Sequence, residues 1–169
     1  MTNEEWRTIF EFPNYQISSL GRVYNIRRDR LMSVSCTNHG HAKIKLTDFD
    51  GTQHTRSVAL LVASSFVEAP NLLCDQVIML DGDLTNLDAQ NLAWRPQWFA
   101  WRYTRQLKED QPVYYHNLNV VNLNEEVSYN SIVEAGVTEG LLFDDIWRST
   151  YQRSQVFPHG HVFEIVERV

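Results

Sequence analysis

The residues able to do chemistry cluster in two stretches. His39, His41 and His54 fall within one polar–apolar alternating segment, and Asp81 and Asp83 bracket Gly82 a little further on, followed by Asn86 and Asn91. A histidine can serve as a general base, and carboxylates or amide oxygens can hold a divalent cation, so this set could support metal-assisted hydrolysis. His159 and His161 flank Gly160 and could chelate a metal, but two histidines lack a third ligand. His116 stands alone among aromatics. Asp81-Gly82 also reads as ordinary turn chemistry, and Asn91 as a side chain that satisfies backbone groups of its own loop.

The elements that must position these residues are short. "YQISSLGRVYNI" alternates around Ser19-Leu20-Gly21, a hairpin signal. Ala42–Thr47 alternates too, and Asp50-Gly51 predicts a two-residue turn into a partner strand that leads to Val58. "VALLVASSFV" predicts a buried helix, Ala59 to Phe66, ending before Pro70. "QVIML" is a short apolar run leading to the Asp81-Gly82 turn, "LDAQNLAW" a short helix or helical turn, and residues 98–108 a helix with aromatics on one side. Residues 106–118 are polar and read as a linker. A strand pair follows in "VYYHNLNVVNLNEEVSYN". Ser131 and Glu134 make a capping box for a short helix, which Gly136 breaks and after which Thr138 caps a second helix to about Tyr151. A Pro-His-Gly turn and a strand close the chain.

The bulk properties narrow the class. The 169 residues are 43% hydrophobic and 12% aromatic, enough for a packed core. No stretch is long and apolar enough to span a membrane, and "MTNEEWRTIF" lacks the basic and apolar regions of a signal peptide. Cys36 and Cys74 read as reduced thiols, as in a cytosolic-type environment. The net charge of −6 is unevenly spread: residues 1–60 hold eight basic and six acidic residues, and residues 106–169 hold four and ten. Arg22, Arg27, Arg28, Arg30, Lys43 and Lys45 form, with Arg56, one basic run. Phosphate neutralisation dominates nucleic-acid affinity, so these six are the candidate DNA contacts.

Four segments over residues 4–94 resemble, in order and spacing, the HNH homing endonucleases of phages and mobile introns. Glu5, Trp6, Tyr15, Ile17, Ser18, Gly21, Arg22 and Val23 match the N-terminal module of that family, and "TNHGHAKIKL" looks like the strand that follows. Val58, Leu61, Val62, Ala63 and Phe66 match its helix. Val77, Asp81, Gly82, Asn86, Asn91, Leu92 and Trp94 match its core loop. The C-terminal segment, through Ser131, Ile132, Glu134, Ala135, Ile146 and Trp147, is similar to attached helix-turn-helix modules.

The resemblance implies an α+β fold of small antiparallel hairpins around a ββα-metal (HNH, His-Me finger) core, with a strand and helix-turn-helix module after it. It divides the chain into an HNH-like domain over 1–105 (N-terminal module 1–32, core 33–105), a linker over 106–118 and a C-terminal module over 119–169. It also exposes departures. The family's base falls at Met79, its adjacent metal ligand at Ile78, and its other recurring histidine at Ala59; Asn91, the helix-side ligand, remains. A thioether takes no proton at neutral pH, and isoleucine offers Mg²⁺ no donor. The implied protein is therefore a catalytically inactive scaffold without a cofactor, serving as a binding or structural subunit of a phage or mobile-element assembly.

The competing readings are an active Mg²⁺ nuclease with its base relocated to His54, metal on Asp81 or Asp83, and a noncatalytic DNA binder. The second helix carries Asp144 and Asp145 where a DNA reader would carry basic or amide side chains. Its apolar residues exceed one buried stripe, so Phe143, Ile146 and Trp147 are the candidate contacts to a protein partner, with Trp98, Phe99, Trp101 and Tyr103 a second set in which core residues are expected.

Overall fold

In the computed structural model, which describes residues 4–69 and 72–166, the chain divides into two compact units, Met1–Trp94 and Arg95–Val169. Pro70 lies outside the described residues.

The N-terminal unit is built from half-buried strands. β1 (Trp6–Ile9), β2 (Phe12–Ser18), β3 (Val23–Asn25) and β4 (Arg30–Leu31) form one antiparallel sheet in chain order. β5 (Ser35–Cys36), β6 (Ala42–Thr47) and β7 (Gln53–Ser57) form another. Along β6 the side-chain period of two buries Ala42, Ile44 and Leu46 and exposes Lys43 and Lys45. The β6–β7 loop is one residue longer than expected. Thr47 pairs with Gln53, Asp48 N donates to Thr52 O, and Gly51 N donates back to Asp48 O, leaving Phe49-Asp50-Gly51 at the tip. Gly51 takes φ +88°, the left-handed position of a three-residue hairpin, which is why the Asp-Gly pair alone misjudges the length.

α1 (Val58–Phe66) lies against these strands and buries Val58, Ala59, Leu61, Val62 and Ala63. β8 (Gln76–Met79) then pairs with β9 (Leu92–Arg95), and the core gathers Phe12, Ile17, Val23, Ile44, Leu46 and Val62. The helical turn expected in "LDAQNLAW" is a single 3-10 turn, Ala89–Asn91, before the chain extends as β9.

In the C-terminal unit α2 (Gln97–Gln106) buries Phe99 and Tyr103 but exposes Trp98 and Trp101, so its aromatics are not confined to one side. The boundary between the units falls before α2 rather than at residue 105, because Phe99 and Tyr103 pack with this unit, next to Phe157 and Gly136. The segment expected to be a linker contains α3 (Val113–Asn117). Its Tyr115 is 3% exposed and donates its hydroxyl to Asp144 at 2.7 Å. β10 (Asn119–Asn122) is the central strand between β11 (Val127–Tyr129) and β12 (Phe163–Val166), antiparallel to both.

α4 (Ile132–Glu139) starts at the expected cap, with Ser131 Oγ accepting from Glu134 N at 2.9 Å while the Glu134 carboxylate accepts from Asn130 N. Gly136 does not break it. It sits within the helix because an added Cβ would lie 2.4 Å from the Phe143 ring. The break comes at Gly140, left-handed at φ +65°. Thr138 is inside α4, and α5 (Phe143–Gln152) begins after Leu142 instead. The fold is the mixed α+β type with small antiparallel sheets, as expected.

Candidate functional site

The site implied by the family register lies between β8 and β9. The β9 side of this loop is held by the β2–β3 turn. Ala89 N donates to Ser19 O at 2.8 Å, and Gly21 lets the turn meet Leu87, where a Cβ would stand 2.5 Å from that side chain. Ser18, fully buried, accepts from Arg22 N at 2.9 Å and so shapes the turn. The N-terminal module thus positions the loop.

Within the loop the polar side chains bind one another. Asn91 Nδ2 donates to Asp81 Oδ1 at 2.8 Å and to Asn86 O at 3.0 Å, and its Oδ1 accepts from Asp81 N at 3.0 Å. Asn86 Nδ2 donates to Asp81 Oδ2 at 2.6 Å, and Asp83 N donates to Asp81 Oδ1 at 2.8 Å. Asp83 accepts from Thr85 N and Oγ1. Burial works against the Asp81 charge, but the Asn86 and Asn91 hydrogen bonds outweigh it and hold the carboxyl below its ordinary range. Asn91 is not on a helix. It ends the 3-10 turn with both amide hydrogens engaged, as a brace across the loop.

At the positions to which the resemblance assigns the base, its adjacent metal ligand and the other recurring histidine, the side chains are apolar. Ile78 is 3% exposed, and Met79 is half-buried against the core that holds Leu92. Ala59 is buried in α1. The helix next in chain order, α2, carries no Asp, Glu, His or Asn. Among the described residues no three His, Cys, Asp or Glu side chains come together as a metal site. His54, the relocated-base candidate, has its ring 5.6 Å from that of Phe12 and its Nε2 3.6 Å from Asp48, whereas Asp81 and Asp83 are engaged within their own loop. His39 and His41 are exposed.

The six candidate DNA contacts fare differently. Arg22 is paired with Glu4 through Nε at 2.8 Å and through a second nitrogen, and lies over Trp6, so it is no free cation. Arg27, Arg28, Arg30, Lys43 and Lys45 are exposed, and among the described residues none has a carboxylate within ion-pair distance. Arg27 and Arg28 line an open groove of about 240 Å³ with Asn14, Asn25 and Thr47. Arg56, by contrast, is paired with Glu11 at 3.2 Å.

The candidate protein contacts are corrected. Phe143 and Ile146 are 2% and 0% exposed and belong to the core of the C-terminal unit, where α5 faces both α4 and β12. A helix covered on two sides needs more than one apolar stripe. Trp147 remains half-buried.

His161 of the closing turn is also structural. His161 Nδ1 lies 2.7 Å from Glu139 Oε2 and its Nε2 3.4 Å from Glu125, so carboxylates hold both ring nitrogens. Burial, then the charges of Arg95 and His161, lower the His159 pKa. Sequence reasoning missed this interior network. Glu139 also accepts from Asn122 at 3.0 Å and from the Tyr129 hydroxyl at 2.7 Å. Arg95, 3% exposed, donates to the carbonyls of Glu139 and Gly140 and closes the end of α4. No local sequence signal marks these residues, which lie far apart in the chain.

Comparison with known proteins fits this geometry. Residues 4–47 match the NUMOD4 motif, which is found in HNH homing endonucleases. An uncharacterised HNH endonuclease of Acanthamoeba polyphaga mimivirus is 33% identical over 90 residues, 53% of this chain and 22% of that protein; the chain thus spans about a fifth of its relative's length. A solved structure of the HNH homing endonuclease I-HmuI, described as showing DNA binding and cleavage by that enzyme, covers 98% of this chain and 99% of its own at a TM-score of 0.56 and 20% identity, a likeness of fold. The motif and the relative make this chain similar to HNH endonucleases over part of its length, and the solved structure makes it similar to one of them in fold.

Proposed function

We propose that this chain is a noncatalytic HNH-type protein that binds nucleic acid through its N-terminal unit. The observation that carries the reading is the state of the β8–β9 loop: its bracing residues Asp81, Asn86 and Asn91 are all in place, while the two positions that would carry base and ligand are a buried Ile78 and a half-buried Met79. A buried isoleucine contributes to packing and supplies no group that transfers a proton or holds a cation. Five exposed cations, on β6, in the β3–β4 turn and at the start of β4, have no ion-pair partner among the described residues and favour a polyanion over a protein as the ligand, and the burial of Phe143 and Ile146 removes the strongest argument for a protein subunit. DNA binding by I-HmuI is consistent with this choice. A phage or mobile-element setting follows from the same family relationship and goes with it as part of the proposal.

Two measurements test it. Incubated with supercoiled plasmid and Mg²⁺ or Mn²⁺, the purified chain leaves the plasmid intact; nicking that His54→Ala abolishes would overturn the noncatalytic reading in favour of a relocated base. In fluorescence anisotropy with duplex DNA, the chain binds with a strong salt dependence. Arg27→Ala with Arg28→Ala weakens binding and lowers the salt slope by about one for each phosphate no longer neutralised. Absence of binding even at low salt would sink the nucleic-acid assignment.

A further inference from the structure

The groove lined by Arg27 and Arg28 has a floor whose hydrogen-bond donors the fold leaves unused. Tyr15 on β2 and Asn25 on β3 are paired across the sheet, so their side chains stand side by side on one face. They are 6% and 5% exposed, and both line the groove. A side chain so deeply buried ordinarily places its donors in hydrogen bonds within the protein. These two engage only their acceptors. Asn25 Oδ1 accepts from Arg28 N at 2.9 Å, and the Tyr15 hydroxyl oxygen accepts from Thr47 N at 3.2 Å. Among the described residues, the Asn25 Nδ2 hydrogens and the Tyr15 hydroxyl proton have no protein acceptor, and Asn25 Nδ2 is open to solvent.

Above this floor stand Arg27 and Arg28, exposed and without a carboxylate in ion-pair distance among the described residues. Two guanidinium groups over unused N–H and O–H donors make a cradle for an oxyanion. The acidic groups nearby are engaged elsewhere. Asp48, at the rim, accepts from Phe49 N and has its Oδ2 3.6 Å from His54 Nε2. Asp29, in the turn that carries the arginines, accepts from the Tyr24 hydroxyl. At about 240 Å³ the groove is smaller than the sites of about 300–1,000 Å³ that enclose whole small molecules, so it suits one group of a longer ligand.

Phe49 indicates which ligand. It follows Asp48 at the tip of the β6–β7 hairpin and is 73% exposed. An exposed aromatic ring beside an oxyanion cradle is a stacking platform for a base. Asp48 and Asp50 flank it in the chain. Pushed into the groove of a duplex, the tip would bring these carboxylates against a row of phosphates on each side. A single strand has one backbone, which can lie on the arginine side while its base reaches Phe49.

We infer that the groove seats one internal phosphodiester of an unpaired DNA strand whose neighbouring base stacks on Phe49. The inference rests on the nucleic-acid reading above and names the form of nucleic acid that this surface takes.

Fluorescence anisotropy of the whole chain tests it, with a short labelled single strand and the same sequence as a duplex. The single strand should bind about tenfold more tightly. Charge density alone favours the duplex, so this order separates stacking from simple attraction. Phe49→Ala, at an exposed position, should weaken single-strand binding about tenfold with the salt slope unchanged, because stacking releases no counterions, and Phe49→Trp should keep the affinity. Asn25→Asp retains the acceptor for Arg28 N but turns the free donor into a carboxylate oxygen, and should weaken single-strand binding about tenfold with the circular dichroism unchanged. Equal affinity for strand and duplex, or a neutral result for Phe49→Ala or for Asn25→Asp, would overturn the inference while leaving the nucleic-acid reading in place. Binding only of strands that carry a terminal phosphate would overturn it in favour of a strand end. Failure to bind either form at low salt would overturn both readings.

Discussion

In the N-terminal unit a network of polar side chains lies in the loop between β8 and β9, beside a core of aliphatic and aromatic residues. In the C-terminal unit the corresponding network lies inside, where Glu139 is shared by Asn122, Tyr129 and His161. The exposed network shapes one loop and can be loosened with little damage elsewhere. The buried one joins α4, β10, β11 and the closing turn, so each member depends on the others for its hydrogen bonds. Polar residues of similar types therefore act locally in one unit and globally in the other.

The largest test of that contrast is Glu139→Ala. It strands the Tyr129 hydroxyl, the Asn122 amide and His161 in an environment where the Glu139 side chain is itself only 9% exposed. Removing one partner from such a set costs about 3 kcal/mol or more. Denaturant unfolding should show the loss, and a change under about 1 kcal/mol would mean that water replaces the carboxylate easily.

Next comes Ile78→Ala. If Ile78 is a packing residue, the truncation costs about 2–3 kcal/mol through reduced burial and a residual cavity, and Met79→Ala, at a half-buried position, costs less. Near-neutral results at both positions in denaturant unfolding would show instead a pocket that tolerates emptiness, and would reopen the question of a ligand there.

How far the sequence disclosed each unit follows from the same contrast. The strands of the first unit are half-buried, so Ala42, Ile44 and Leu46 alternate with Lys43 and Lys45 and can be read directly. The loop is legible through its turn residues and its Asn91, although the family register places that residue on a helix and the structure puts it in a 3-10 turn. The second unit is held together by contacts that local rules cannot see. Gly136 reads as a helix breaker, yet it is retained within α4 by the Phe143 ring. The polar segment around α3 reads as a linker, yet Tyr115 anchors it. Phe143 and Ile146 read as surplus apolar residues because nothing in the pattern reveals that α5 is covered from two sides.

Asn91→Ala probes the exposed network. It removes three hydrogen bonds that tie Asp81 and Asn86 together, but water can reach the groups left behind, so the expected cost is about 1 kcal/mol. Thermal melting should register this modest loss while the C-terminal unit's near-ultraviolet circular dichroism stays unchanged. A cost matching that of Glu139→Ala would erase the distinction between the two networks.

The smallest effect concerns acid. Burial pulls the Asp81 carboxyl toward a higher pKa, but the Asn86 and Asn91 amides outweigh it and hold the group below its ordinary value of 3.8. A carboxyl that ionises more readily in the folded chain contributes stability that is complete above its unfolded pKa and is lost as pH falls through its folded one. Asp81 is mostly open to solvent, so screening reduces that contribution to roughly a few tenths of a kcal/mol. Stability of the wild type should therefore exceed that of Asp81→Asn by this margin at neutral pH, and the two should converge in melts as pH falls below 3.8 and through the folded pKa. A gap that persists unchanged into acid would show that Asp81 acts through its shape alone, as a neutral acceptor would. In that case Asn91 braces the loop without any help from the charge beside it.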